Sequence, residues 1–206
     1  MKRITEPELM EDAAQVQAYA EADFESAHSN FIVMFKEIFS NVKIEGHVLD
    51  LGCGPGDITF RFARAFPNCI VHGLDGSDAM LHHGKEFLSN ADDIKNRVEL
   101  IHGLLPGTVL PQSKYDAVIC NSLLHHFHNP QTLWDTVKLY AASGAPIFIM
   151  DLKRPETIDE AKRLVIAYAG NEPEILRHDF YNSLLAAFEI DEIKEQLNET
   201  GLGHLS

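Results

Sequence analysis

The sequence predicts an α/β fold in which a mostly parallel, doubly wound sheet is covered by helices on both faces. Short apolar segments recur along the chain, amphipathic segments of helical spacing separate them, and the first apolar segment ends in a glycine-rich turn. Strands this apolar are buried on both faces, as in a parallel sheet. At 206 residues, the chain has the length of one domain with a sizeable core.

Strands and helices alternate in the central part of the chain. The apolar segments predict five strands, at residues 47–52, 69–75, 97–103, 115–121 and 145–152. Apolar residues at helical spacing predict two helices over 8–40 and later helices at 58–66, after Ser77 and around 130–141. Asp57 is available as the N-cap of the helix at 58–66. Thr157 and Glu160 form a capping-box pattern that opens the first of about three helices in 157–200.

Composition indicates which binding partners and which cellular compartment to expect. The chain has 17 Lys and Arg against 31 Asp and Glu, a net charge of −14, which disfavours binding to nucleic acid. This charge serves solubility or attracts a cationic ligand. No apolar stretch approaches the length of a membrane span, so no membrane association is expected. Three cysteines in apolar segments, with no signal peptide, predict a reduced, cytoplasmic protein.

The segment "HVLDLGCGPGDITFRFARAF", residues 47–66, carries the main functional signal. Gly52, Gly54 and Gly56 lie between a strand and a helix, at the sheet end where ligands of doubly wound folds bind. Glycine accepts a positive φ and has no Cβ, so backbone N–H groups can approach a ligand closely. The following helix adds the positive end of its dipole.

The spacing of these glycines separates two classes of cofactor. A dinucleotide fingerprint reads G-x-G-x-x-G and places a pyrophosphate over the helix N-terminus. Here the glycines read G-x-G-x-G and Asp50 precedes them. A carboxylate repels a pyrophosphate, but it attracts a ligand that carries an amino group and a sulfonium.

With Asp50 before its glycine triplet, the segment resembles the first motif of the class I S-adenosylmethionine-dependent methyltransferases of small-molecule type, a Rossmann-like family. The resemblance covers roughly residues 45–152. It implies that Asp75 accepts the two ribose hydroxyls, that Leu104 and Leu105 of "HGLL" lie at the adenine, and that Asn121 of "NSLLHHF" lies beside the methionine part. The other cofactor-binding residues that it implies are Tyr19 on an N-terminal helix, Asp50, Gly52, Cys53, Gly54, Gly56, Gly76 and Met80.

One position departs from the family pattern. Many relatives have an acidic residue after the "HG" dipeptide, but this chain has Leu104. Hydrogen bonds to adenine must then come from backbone groups near Leu104 and Leu105. Cys53 lies between glycines without a nearby histidine or lysine, which indicates a small filler whose backbone touches the ligand.

The function implied is transfer of the methyl group of S-adenosylmethionine to a small-molecule acceptor, leaving S-adenosylhomocysteine. Two alternatives stay open: a non-catalytic S-adenosylmethionine-binding regulator, and a nicotinamide-dependent oxidoreductase. No catalytic residue is assigned. His126 can accept a proton from the acceptor, pack on the cofactor or hold the loop. His125, His126 and His128, like His82 and His83, lack zinc-site spacing, so no metal is expected.

The resemblance also predicts the domain organisation. A single domain, 1–206, would comprise a helical lid (1–43), a cofactor-binding core (44–152) and a helical C-terminal part (153–206). Related methyltransferases usually finish the sheet with two more strands, so the chain is expected to be truncated after "GLGHLS". The strand at 145–152 would then form an exposed edge and promote self-association, unless the tail helices cover it.

The acidic composition gives a direct test. We expect no association of the protein with DNA or RNA at physiological salt, because it has no excess of basic residues to release counterions. Fluorescence anisotropy with labelled oligonucleotides measures this. A micromolar dissociation constant that rises steeply with salt would contradict the expectation.

Overall fold

The structure is a computed structural model that describes residues 1–205. The chain divides into two compact units. The sheet unit comprises Asp23–Asn121 and Thr136–Met150. The helical unit comprises Met1–Ala22, Ser122–Asp135 and the chain from Asp151 onward. The predicted single domain, with its lid, core and C-terminal part, stays a prediction.

The sheet unit contains every strand formed by residues 1–205. These are β1 (Gly46–Leu51), β2 (Cys69–Asp75), β3 (Val98–His102), β4 (Ala117–Asn121) and β5 (Ile147–Met150). They pair in parallel in the order β3-β2-β1-β4-β5, which confirms the predicted doubly wound sheet. The order reverses at β1, which pairs with β2 on one side and β4 on the other. The carboxyl ends of β1 and β4 therefore meet at the switch point where such sheets bind ligands.

The helices confirm the predicted alternation. In chain order they are α1 (Ala13–Glu21), α2 (Glu25–Ile38), α3 (Asp57–Ala65), α4 (Asp78–Ser89), α5 (Gln131–Tyr140), α6 (Ile158–Ala169), α7 (Glu174–Ala186) and α8 (Ile190–Glu199), with a short 3₁₀ turn at Leu124–His126. None of these helices, within residues 1–205, has both the length and the apolar character needed to cross a bilayer.

The start of α3 corrects one expectation. Gly56, with φ +91°, is the N-cap, and Asp57 is already the first helical residue. The Asp57 carboxylate instead accepts hydrogen bonds from His28 Nδ1 at 2.6 Å and Arg61 Nε at 2.7 Å. Arg61 also donates to Glu25. The predicted cap is thus wrong because glycine takes the left-handed conformation and the aspartate is used to join α2 to α3.

An aromatic cluster forms the core between α2, α3 and β5. Phe35 is fully buried, and its ring lies 4.9 Å from Phe62, 5.4 Å from Phe66 and 5.8 Å from Phe148. Phe31 packs 4.7 Å from Phe148. These contacts place α2 in the helical layer of the sheet unit.

The helical unit is held by polar contacts as well as apolar ones. Arg3 donates to the carbonyls of Ala186 at 2.6 Å, His125 at 2.8 Å and Phe127 at 3.0 Å. Its guanidinium also lies 3.9 Å from the centre of the Phe188 ring. The amino-terminal segment is therefore fastened to the end of α7 and to the 3₁₀ turn.

Of two local expectations in the helical unit, one is met in part and the other in full. The Thr157 hydroxyl accepts from Glu160 N at 3.1 Å and caps α6, although the Glu160 carboxylate accepts from Glu156 N and not from Thr157 N. Trp134 is 3% exposed and donates to Gln196 Oε1 at 2.8 Å, which makes it a core residue as predicted.

The aromatic cluster gives a stability test. Phe35→Ala should lower the free energy of unfolding by about 3–5 kcal/mol, because it removes a buried ring and leaves a cavity. Val33→Ala on the same helix is the control, since Val33 is half exposed. Urea unfolding followed by circular dichroism measures both variants. Equal losses in the two would show that the cluster contributes little.

Candidate functional site

Asp75 anchors the site at the carboxyl end of β2. Its Oδ2 accepts a hydrogen bond from Gly54 N at 2.7 Å, and its Oδ1 accepts one from Ser77 N at 2.8 Å. The Gly76 N–H also acts on this carboxylate, so about one of its roughly four acceptor positions remains for a further donor. Burial raises the Asp75 pKa, whereas the backbone N–H donors of Ser77 and Gly54 lower it.

The glycine loop, residues 52–56, follows β1 and faces open space at its centre. Gly52, Gly54 and Gly56 have φ values of +71°, +54° and +91°. A Cβ built on Gly54 would meet no atom within 4 Å, whereas one on Gly56 would lie 2.6 Å from the Phe60 ring. Gly54 thus borders a free volume, and Gly56 allows close packing of α3.

Asp50 lies beneath this loop. It is 1% exposed, and its Oδ2 accepts a hydrogen bond of 2.5 Å from the Thr59 hydroxyl on α3. Burial raises the pKa of the Asp50 carboxyl to about 7; the Thr59 hydrogen bond opposes this shift and the charge of Asp75 adds to it. In this structure the Asp50 carboxyl is therefore too deeply buried to contact a ligand directly.

Cys53 fills space within the loop. Its side chain is 7% exposed, and a Cβ on Gly73 of β2 would lie 2.9 Å from its Sγ. Burial, together with the charges of Asp75 and Asp50, raises the pKa of the thiol far above its ordinary value. The thiol therefore stays protonated and unreactive.

The neighbouring candidates lie at the same end of the sheet. Met80 on α4 is 3% exposed, and Gly76 O lies 3.0 Å from His102 Nε2. Leu104 is 56% exposed and follows β3, which pairs with β2 up to Asp75. Leu105 and Asn121 are half buried.

Tyr19 lies on α1 of the helical unit. Its predicted place over the cofactor stays a prediction.

A second group of polar side chains occurs in the helical unit. His125 Nδ1 lies 2.5 Å from Asp151 Oδ1, and His125 Nε2 lies 3.4 Å from Glu6 Oε1. His126 Nδ1 is also 3.4 Å from Glu6 Oε1. Burial, and then the charge of His125, lowers the His126 pKa to about 4. His126 is therefore neutral at physiological pH and a weak base.

Sequence reasoning found the histidines of this group but missed Glu6 and Asp151. Glu6 is more than a hundred residues from His125 along the chain, and no local motif links them. The one available signal was that Asp151 directly follows the strand β5, as Asp75 ends β2.

Comparison with known proteins agrees with this fold. Residues 49–147 match the family described as "Methyltransferase domain". Trans-aconitate 2-methyltransferase of Variovorax paradoxus (strain S110) is 34% identical over 128 residues, 61% of this chain and 45% of the relative. The mitochondrial ubiquinone biosynthesis O-methyltransferase of Schizosaccharomyces pombe is 32% identical over 96 residues, 47% of this chain and 32% of the relative. The chain thus spans about half or less of these relatives.

Solved structures give the same result for the fold. The plantazolicin methyltransferase BpumL, in complex with a pentazolic desmethylPZN analog and SAH, superposes with a TM-score of 0.68 at 17% identity, over 91% of this chain and 67% of that one. A phosphoethanolamine N-methyltransferase of Haemonchus contortus gives a TM-score of 0.63 at 20% identity, over 84% of this chain and 36% of that one.

The sheet order and the glycine loop agree with a methyltransferase domain of the doubly wound α/β type, which residues 49–147 match. The chain is thus similar to the class I S-adenosylmethionine-dependent methyltransferases, the family that its first motif resembles.

The buried Asp50 carboxyl predicts a pH-dependent stability. Its pKa is about 7 when folded, above the ordinary 3.8, so the folded chain holds a proton that the unfolded chain releases. The stability from this proton is complete below pH about 4 and is lost as pH rises to about 7. Asp50→Asn keeps an acceptor for Thr59 but does not titrate. Its free energy of unfolding relative to wild type should therefore rise over this range, by up to about 1.4 kcal/mol per pH unit.

Urea unfolding without ligand at pH 5, 6, 7 and 8 measures this difference. Val33→Ala, at a half-exposed position, changes no titratable group; it is the control and should give a flat difference. A flat profile for Asp50→Asn would mean that the Asp50 pKa is not raised.

Proposed function

We propose that this protein transfers the methyl group of S-adenosylmethionine to a small-molecule acceptor and releases S-adenosylhomocysteine. The observation that carries the proposal is the geometry of Gly54 and Asp75. Gly54 leaves an open volume, and the Asp75 carboxylate beside it, with backbone donors from Gly54, Gly76 and Ser77, keeps about one acceptor position for a further donor. A ribose hydroxyl of a nucleoside fits this acceptor.

The residues around this pair fit the rest of the cofactor. The glycine loop presents backbone at the N-terminus of α3, whose dipole end suits a carboxylate. Leu104 offers an exposed apolar side chain for the adenine ring, and Asn121 ends β4 where the methionine part is proposed. We assign the same binding surface to Gly52, Cys53, Gly56, Gly76, Met80 and Leu105, with Asp50 holding the loop in place through Thr59.

Methyl transfer makes modest demands on the protein. S-adenosylmethionine supplies the activated methyl group when bound. The chain's own contribution is to hold donor and acceptor in line and to exclude water, and such positioning supplies about 7–11 kcal/mol of a barrier. No residue is required to form a covalent intermediate.

The choice of a small-molecule acceptor is supported by relatives and by charge. Matched proteins are named for trans-aconitate, ubiquinone biosynthesis and malonyl-[acyl-carrier protein]. The net charge of −14 disfavours a polymer with a phosphate backbone. We further propose a cytoplasmic location and self-association through the edge strand β5.

Cofactor binding tests the proposal directly. By isothermal titration calorimetry, S-adenosylhomocysteine should bind the wild-type protein, and Asp75→Ala should weaken it by about 1.5–3 kcal/mol for each hydrogen bond lost. Gly54→Val should weaken it further, because the new side chain fills the open volume. Asp75→Asn, which keeps one acceptor oxygen, should fall between wild type and Asp75→Ala.

Controls separate this effect from loss of fold. Asp92→Ala is exposed on the same unit and should bind as wild type does. Thermal melting of each variant without ligand shows whether it folds. Unchanged affinity in Asp75→Ala, or tighter binding of NAD(H) than of S-adenosylhomocysteine, would overturn the assignment. Tight binding without turnover on a broad panel of acceptors would favour the non-catalytic regulator.

A further inference from the structure

We propose that Glu6, His125 and His126 form a binding site for one divalent transition-metal ion of the zinc class. All three residues lie in the helical unit, and one ligand atom from each lies within 4.8 Å of the other two. The proposal does not depend on methyl transfer, and it replaces the expectation of no metal, which considered only spacing along the chain.

The distances match tetrahedral coordination. Glu6 Oε1 lies 3.4 Å from His125 Nε2 and 3.4 Å from His126 Nδ1. Ligand atoms held 2.0–2.2 Å from one ion at tetrahedral angles are about 3.4 Å apart. The distances from Glu6 to His125 and from Glu6 to His126 therefore already have the value that a shared ion requires. Two imidazoles and one carboxylate are also a ligand set typical of zinc, with a fourth position left open.

Neighbouring groups orient these ligands. Asp151 Oδ1 accepts from His125 Nδ1 at 2.5 Å, which fixes the tautomer and leaves Nε2 as the free lone pair facing Glu6. Asp151 Oδ2 also accepts from the His125 backbone N–H at 3.2 Å. The Ser183 hydroxyl donates to Glu6 at 3.1 Å. A carboxylate behind a metal-binding histidine is the usual supporting arrangement in metal sites.

Burial and charge favour a cation here. The side chains of His125 and Glu6 are 3% and 10% exposed, and that of His126 is 15% exposed. The carboxylates of Asp179 and Asp151 add negative charge near Glu6. A bound divalent ion would offset this accumulated negative charge. In this structure His126 Nδ1 lies 3.3 Å from Pro7 O. Binding of an ion by this nitrogen must break that contact, so the contact competes with the metal.

A cavity gives access to the site. It has a volume of about 290 Å³, and its lining includes Glu6, Pro7, Asp12, His126 and Asp179. Glu6 and His126 thus face both the cluster and the cavity. The buried Oδ2 of Asp179 has no hydrogen-bond partner among the described residues, which leaves an acceptor on the cavity wall for a metal-bound water or a cationic group.

The test uses the full chain without a histidine tag, stripped with a chelator and dialysed. Titration with Co²⁺ alone should give one equivalent bound per chain, with the intense visible absorption of tetrahedral Co²⁺, and Zn²⁺ should displace it. Glu6→Gln, which keeps the oxygen that accepts from Ser183, and His126→Ala should each lower the affinity about 100-fold or more. Asp151→Asn should lower it about 10–100-fold.

His82→Ala is the matched control. His82 and His83 are the adjacent pair on α4 of the sheet unit, so they report nonspecific binding to neighbouring histidines. This variant should bind Co²⁺ as wild type does. Absence of binding at 100 μM Co²⁺, unchanged affinity in Glu6→Gln, or loss of affinity in His82→Ala would each overturn the proposal.

X-ray absorption on the Zn²⁺-loaded wild type keeps the proposal testable if a variant fails to fold. The first shell should contain two imidazole nitrogens and oxygen ligands. A shell without two imidazoles, or one that contains sulfur, would overturn it.

Discussion

The hydrogen bond from Gly54 N to Asp75 Oδ2 is the contact on which the candidate cofactor site depends. It joins the loop after β1 to the end of β2 and fixes the loop at the switch point of the sheet. The same carboxylate accepts from Ser77 N, so one side chain orders both the glycine loop and the entry to α4. Because glycine carries no side chain, this ordering leaves the space in front of Gly54 open.

Two carboxyl groups, those of Asp50 and Asp75, support the glycine loop. Asp50 and Asp75 lie near the carboxyl ends of neighbouring strands, and burial raises the pKa of both. They differ in partners: the Thr59 hydroxyl donates to Asp50, whereas backbone N–H groups of Gly54, Gly76 and Ser77 act on Asp75. Backbone donors are fixed in position, so Asp75 can accept a further donor without losing its orientation. Asp50 is instead a structural acid that joins β1 to α3.

The sheet could be predicted from sequence because its signals are local. Buried parallel strands require continuous apolar runs, and "HVLDLG" and "YDAVICN" are such runs. Asp75 could be proposed because it ends a predicted strand, at the position where the resemblance implies an acid on the ribose hydroxyls. The cap of α3 was wrong because an aspartate in the first turn looks the same in sequence whether it caps the helix or binds a neighbouring helix. The pairing of Glu6 with His125 could not be predicted, because it depends on the folded path of the whole helical unit.

The anchoring of Arg3 has a consequence for the order of folding. Its guanidinium bonds to Ala186 and to His125, which lie 183 and 122 residues further along the chain. During synthesis, the segment that carries Arg3 and Glu6 is made before β1, whereas its partner Ala186 on α7 is made after β5. The strands β1 to β4 and their helices are complete well before that point. The contacts of Arg3 with α7 can therefore form only after the strands of the sheet have been synthesised.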